Sequence, residues 1–433
     1  MTIPASGAAK SAADGFYAKL TVAAVVFFVV LETAYFALSG LPSLSAPSLD
    51  FTGNATGRNF ITTWMSGRAL FGYGPASVFD HAVYNNALRV MLGPNFPEQF
   101  WSYPPHFLLF TWPFGFLPYL PAYILWCVFG ITVYLLACMA VLGRKHLLFL
   151  AAAPGVAVCV FFGENGFYTA ALLVGAFALL DRHPILAGFL FGVLTIEPQL
   201  VILLPFMLLA TRRWRTILSA AVMAGALVTA TSHLFGPGVW TDFIDKVIPQ
   251  QIWLLHNGGG LLNLTMSSVF FSGRLVGLPI DLAWNLQGLV FFLALAAVIW
   301  TYWKRRDPAL SMALFITATF LASPYLFNYD MVIFGFLVAA LRERADNTVV
   351  DHALAFLIWS LPVTMMLFGV VKVPIAPLVL AVFAGRLLWR LSRSADERQQ
   401  ATKEDAGREA QPPAAPLPKE ELPGTPASSP LPA

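Results

Sequence analysis

The chain is 433 residues long, 58% hydrophobic and 11% charged, with a net charge of +3 from 26 basic and 23 acidic residues. A soluble domain carries about 25% charge, so the composition speaks against a water-soluble fold. The near-balance of charge speaks against a nucleic-acid partner, which needs a clustered basic face. The three cysteines, Cys127, Cys138 and Cys159, stand in apolar stretches and suggest neither a disulfide framework nor a metal site.

In chain order, Lys10 and Lys19 precede the first apolar run, residues 20–38. That run is longer than a signal h-region and has no clear small-residue cleavage site, so it reads as a retained helix. Residues 119–142, 216–235, 286–303 and 352–371 form further apolar runs. About 20 helical residues cross a bilayer core. The sequence therefore predicts an all-α, polytopic transmembrane helix bundle. Basic residues stay on the cytoplasmic side. About twelve crossings put every basic residue inside except Arg58, Arg68, Arg89, Lys246, Arg274 and Lys372. The stretch 185–210 reads as one kinked span or two short ones. The expected divisions are a cytoplasmic N-terminus (1–19), a transmembrane domain (20–393) with long outer loops at 39–103 and 236–285, and a tail (394–433). Rich in Pro, Ala, Glu and Lys, the tail is too polar to fold and is expected disordered in the cytoplasm. Both termini are then cytoplasmic, in a plasma (inner) membrane. No phosphate loop of the GxxxxGK[ST] type is present, which argues against a nucleotide-driven pump.

The polar residues cluster on the predicted outer face. The first outer loop carries GRNFITTWMSGRAL (57–70), ASVFDHAVY (76–84) and FWSYPPHFLLF (100–110). Beyond it lie FFGENGFYTA (161–170) with Glu164 and Asn165, LTIEPQL (194–200) with Glu197 and Gln199, and ASPYLFNYD (322–330) with Tyr325, Asn328, Tyr329 and Asp330. A fourth patch, LLHNGGGLLNLT (254–265), holds His256 and Asn257. Acidic residues at membrane depth are costly and mark sites or pathways. Proline and glycine beside them imply broken helices lining a cavity.

Their order resembles glycosyltransferase family 87, formerly domain of unknown function 2029, a membrane family of the GT-C architecture. The resemblance rests on GRNF with Trp64 and Arg68, FD, YPP with Tyr103, GENG, the Pro-Gln pair and SPY…YD, and runs from about residue 57 to 341. It implies transfer of a hexose, typically mannose, from a polyprenyl-phosphate carrier to a lipid or glycan acceptor on the outer face. It also implies an inverting displacement. Such chemistry needs a carboxylate to take the acceptor's proton. It also needs cationic or hydrogen-bonding groups for the leaving phosphate; Arg58, Arg68 and His106 are the candidates. In the family pattern an acidic residue stands where this chain has Asn59, Lys is frequent where it has Glu197, and Gln where it has Glu164. The base then comes from Asp80 or Asp50 in the same loop, from Glu164, Glu197 or Asp330, or is missing. No cofactor is expected, the lipid-linked sugar being a substrate; a divalent metal at the outer carboxylates stays open. A monomer surrounded by membrane lipid is expected. Two other readings remain: a non-catalytic glycolipid-binding scaffold, which Asn59 favours, and a lipid-carrier or solute transporter.

Overall fold

The structure, a computed structural model, describes residues 7–39, 47–304 and 306–409. It divides into two units, Met1–Leu391 and Ser392–Ala433. Of the second unit, only the helical stretch ending at Glu409 is described. The expected disordered tail beyond that point, and the first six residues of the expected N-terminal segment, lie outside the described residues. Among the described residues every regular element is helical, with isolated bridges at Leu49–Ala55 and Met266–Phe327.

Among the described residues, six helices are long and apolar enough to cross a membrane: Gly15–Ser39, Tyr119–Leu142, Trp214–Phe235, Ile280–Trp303, Val349–Val370 and Ile375–Arg393. A seventh candidate is the pair Arg144–Ala151 and Pro154–Phe162, bent by 52°. Val22, Val29, Leu218, Val222, Phe292 and Leu367 on the long helices are all more than half exposed. Such faces match hydrocarbon, which supplies no hydrophobic penalty.

Inside the long helices stand shorter ones: α1 (Pro154–Phe162), α2 (Gly166–Leu179), α3 (Pro184–Val193), α4 (Pro308–Ala322) and α5 (Val332–Leu341). A helix apolar on every side is a buried helix, and α4 and α5 are buried along almost their whole length. Their 15 and 10 residues rise only about 22 and 15 Å at 1.5 Å per residue. Each is shorter than the roughly 30 Å hydrocarbon core, and the chain must satisfy the backbone groups at its buried ends inside protein. The stretch 185–210 resolves into two short helices, α3 and Leu204–Ala210, separated by 3-10 turns.

The long first loop is a folded cap. Helices Phe60–Gly72 and His81–Leu92 pack a separate aromatic core of Phe60, Trp64, Tyr84, Trp101, Phe107 and Trp126. The main core runs through α1, α2, α4 and α5. The seam between these two cores holds the polar residues.

Candidate functional site

Three helix breaks meet at that seam. At the first, α1 ends on Gly163 with φ +65°, a left-handed cap that suits glycine, and α2 begins at Gly166. The glycines of GENG do separate work. A Cβ at Gly163 would overlap Phe60 of the cap, and one at Gly166 would overlap the Tyr329 carbonyl. The backbones at 57–60, 163–166 and 329 can therefore touch only because both positions lack a side chain. The Asn59 N–H also donates to the Phe162 carbonyl at 3.0 Å.

At the second break, Glu197 lies between two 3-10 turns, at φ −126° and ψ 76°. The following Pro198 disfavours helical geometry for the residue before it. At the third, α4 stops at Ala322 and the chain turns back through Asn328–Met331 into α5. Asp330 Oδ2 closes this loop by accepting from the Phe327 N–H at 2.8 Å.

Together the breaks line a cavity of about 150 Å³. Its carboxylates are Glu164, Glu197 and Asp330, buried at 6%, 5% and 2% exposure. Glu164 is held from both sides. Oε1 accepts from Asn59 Nδ2 at 2.7 Å, and Oε2 from the Tyr103 hydroxyl at 2.6 Å. Glu197 Oε1 accepts from Asn165 Nδ2 at 2.6 Å, and Oε2 from Gln199 Nε2. Phe100, Tyr103, Tyr325, Phe327 and Tyr329 supply aromatic walls. Among the described residues, no lysine or arginine lines the cavity. Carboxylates and amides beside aromatic faces suit a polyhydroxylated ligand. Hydroxyls donate to the oxygens, and the apolar face of a sugar ring covers the rings.

The predicted residues fall into two groups. Asn59, Tyr103, Glu164, Glu197, Gln199, Tyr325, Tyr329 and Asp330 come together at the cavity. Asn165 reaches it through Glu197, while Asn328 donates to the Pro362 carbonyl at 3.0 Å. The remaining candidates are engaged elsewhere. Asp80 caps the helix His81–Leu92, accepting from the Ala82 and Val83 N–H groups. Asp50 pairs with Arg58 at 3.0 Å and takes hydrogen bonds from Tyr35, Thr52 and Asn54. Arg68 stacks over Trp64, 4.3 Å from the ring centre, and Trp64 donates to the Leu117 carbonyl. His106 stacks on Trp240 near Thr195, and burial pushes its pKa down to about 4, leaving the ring neutral at pH 7. His256 accepts from the Trp284 indole, and Asn257 donates to the Trp253 carbonyl. Among the described residues no group of three or more His, Cys, Asp or Glu is placed to hold a metal ion.

The family model of glycosyltransferase family 87 matches residues 101–324, just over half of the chain. The chain belongs to glycosyltransferase family 87. No curated protein and no solved structure is similar enough to count as a match. The family 87 match takes in Tyr103, the GENG turn and the Glu197 break. It leaves out Asn59 in the cap and Asp330 beyond α4, which the fold brings to the same cavity.

This family 87 site also contains residues that the sequence reading missed: Thr62, Gln99, Phe100, Ser102, Leu254, Leu262 and Phe327. Phe100 and Ser102 stand in the FWSYPP run, and Thr62 lies one helical turn after Asn59. Leu254 and Leu262 flank the glycine triplet and enter in place of His256 and Asn257. An apolar residue in an apolar chain carries no signal of its own.

Proposed function

We propose that this membrane glycosyltransferase moves a hexose, most simply mannose, from a polyprenyl-phosphate carrier to a lipid or glycan hydroxyl on the outer membrane face, with Glu164 as the base. One observation carries the reading. Glu164 is a buried carboxylate in the acid-rich cavity, its two oxygens fixed by neutral donors and by no cation. A salt-bridged carboxylate is committed to its partner; one held by an amide and a phenol keeps lone pairs for an incoming hydroxyl.

In the proposed step the acceptor oxygen attacks the anomeric carbon and passes its proton to Glu164. The bond from that carbon to the carrier phosphate breaks, and the lipid phosphate leaves with the electron pair. One displacement inverts the centre. Gln99, Ser102 and Gln199 are the hydrogen-bonding groups beside the leaving phosphate; neither Arg58 nor Arg68 lines the cavity. Positioned acid–base groups of this kind contribute about 10²–10⁴-fold.

The membrane reading extends in the same way. The twelve crossings expected from the basic clusters need the bent pair and the short helices Gly166–Leu179, Pro184–Ile196, Pro198–Ala210, Pro308–Ala322 and Asn328–Leu341 to cross beside the six long ones. Both termini then lie in the cytoplasm of a cell whose plasma membrane holds the chain, and the Glu164 cavity faces out.

The test is transfer of labelled mannose from polyprenyl-phosphate mannose to membrane lipid extract, using protein in nanodiscs. Transfer by wild type and its loss in Glu164→Gln support the reading. Full transfer by Glu164→Gln removes Glu164 from the chemistry. A wild type that binds the donor without transferring sugar is a glycolipid-binding protein instead.

A further inference from the structure

A second and larger cavity, of about 770 Å³, lies at the far end of the helices that build the first. Helix α2 starts beside Glu164 and ends at Leu180, which lines the second cavity. Helix α5 starts beside Asp330 and ends at Leu341, also in the lining. Helix α4 runs the other way, from Pro308 in this lining to Ala322 at the third break. The 14 residues of α2 alone rise about 21 Å, so the two cavities stand at opposite membrane depths.

Its walls and its mouth differ in chemistry. Phe177, Met312, Phe336 and Leu337 line the depth, and Arg213 and Arg306 the polar end. Arg213 pairs at 2.5 Å with Asp181, which also lines the cavity, and donates to the Leu180 carbonyl at 2.8 Å, although its Nε, too, has no hydrogen-bond partner. Arg306 has a different environment. Its guanidinium lies 4.7 Å from the centre of the Trp300 ring, its Nε is buried without a hydrogen-bond partner, and no carboxylate pairs with it among the described residues. Thr301, fully buried in the same lining, also has a hydroxyl without a partner. Buried polar groups in native proteins are hydrogen-bonded, and exceptions ask for an explanation.

We propose that this cavity holds an anionic phospholipid, with its phosphate against the Arg306 guanidinium and an acyl chain between α2, α4 and α5. A volume of several hundred Å³ with apolar walls and a few convergent polar groups is a small-molecule site rather than a packing defect. The unpaired guanidinium selects a negative headgroup. Basic pockets between transmembrane helices on the cytoplasmic side take such headgroups. Water alone would leave the apolar walls without a partner, and free phosphate would satisfy Arg306 but leave the depth empty. A phospholipid meets both.

The experiment is native mass spectrometry of the full chain in detergent, titrated with phosphatidylglycerol or phosphatidylcholine of identical acyl chains, or with inorganic phosphate. Wild type is compared with Arg306→Gln and with Ala309→Trp, which blocks the cavity from an exposed lining position. One phosphatidylglycerol per chain is expected to survive; Arg306→Gln should retain about fivefold less, the share of one basic group near a lipid surface, and Ala309→Trp, which fills the space, should lose it too. Equal retention of phosphatidylcholine overturns the headgroup assignment. Wild-type retention in both variants overturns the site. Loss in Arg306→Gln alone, with Ala309→Trp unaffected, moves the lipid out of the cavity and also overturns it. Displacement by phosphate alone assigns a free anion instead. Should Arg306→Gln fail to fold, Ala309→Trp decides the matter, because it alters no buried side chain. Sugar transfer is not read out, so the result is independent of the proposed reaction.

Discussion

Asn59 donates its side-chain amide to Glu164 Oε1 at 2.7 Å, across 105 positions of sequence. This bond ties the cap to the first helix break and fixes the orientation of a buried carboxylate. It also explains how a chain with asparagine in that loop position keeps a carboxylate in its cavity: the acid stands at the other end of the hydrogen bond.

The pair should tolerate exchange better than single change. Glu164→Gln is expected to lower transfer by about 10²–10⁴-fold with little change in thermal stability. Asn59→Asp sets two carboxylates against each other and should not raise activity, since like charges at that range cannot both ionise. The double variant Asn59→Asp/Glu164→Gln restores one acid and one amide, and part of the activity should return. Labelled-sugar transfer in nanodiscs checks all three; a double variant no better than Glu164→Gln would show that position, not just pairing, matters.

Tyr103 should act through Glu164. Tyr103→Phe removes the 2.6 Å donor and keeps the aromatic wall. A hydrogen bond to a charged group contributes about 1.5–3 kcal/mol. The expected result is about a 10- to 100-fold fall in kcat, with a smaller change in KM. An unchanged kcat contradicts the role.

The cap aspartate Asp80 should matter for stability and not for chemistry. Asparagine caps helices about as well as aspartate, whereas alanine costs about 1 kcal/mol. Asp80→Asn should keep both Tm and transfer, and Asp80→Ala should lower Tm modestly with kcat intact. Loss of transfer in a folded Asp80→Asn protein would put the base in the cap after all.

Glycine positions separate site from scaffold. Gly166→Ala drives a Cβ into the Tyr329 carbonyl and should lower both Tm and transfer sharply. Gly225→Ala, in the helix Trp214–Phe235, meets open space and should be neutral or slightly stabilising. Scanning fluorimetry beside the transfer assay distinguishes the two.

At the opposite end, ion pairs give an acid-dependent clasp. Lys145 bonds Glu343 at 2.6 Å and holds its carboxyl below the usual range. Burial opposes the same effect at Asp346, but Arg344 and Arg390 prevail and lower it too. A depressed carboxylate stabilises the fold above its unfolded pKa, about 4, and that contribution is lost as pH falls through the folded value. Tm should be level from neutral pH to about 5 and fall below about 4. Glu343→Gln with Asp346→Asn should flatten that fall.

The long helices were legible in sequence. The run 119–142 is a helix with those bounds, and 216–235 and 352–371 are recovered within three residues. That much follows from hydrocarbon alone. The acidic interruptions were legible too, because a carboxylate at membrane depth has few reasons to be there, and Glu164, Glu197 and Asp330 share one cavity. The contacts of Asp50 and Asp80 were not legible. An aspartate in a polar loop looks the same whether it meets substrate or caps a helix, and only local backbone geometry tells them apart. His256 and Asn257 drew notice as polar residues, yet the helix face presents Leu254 to the cavity. Of the candidates for the phosphate, Arg58 pairs with Asp50 and Arg68 stacks over Trp64, contacts that no sequence pattern announces.

The contact of Gly166 with Tyr329 has a consequence for how the protein is made. The turn holding Glu164 leaves the ribosome long before the loop that closes over it, and α4 must enter the membrane in between. During synthesis the nascent chain therefore carries an unfinished acidic turn at the membrane, with neither Tyr329 nor Asp330 yet present to cover it. Asn59 and Tyr103, both made before Glu164, can already hold its carboxylate, and the turn is completed when Tyr329 and Asp330 arrive.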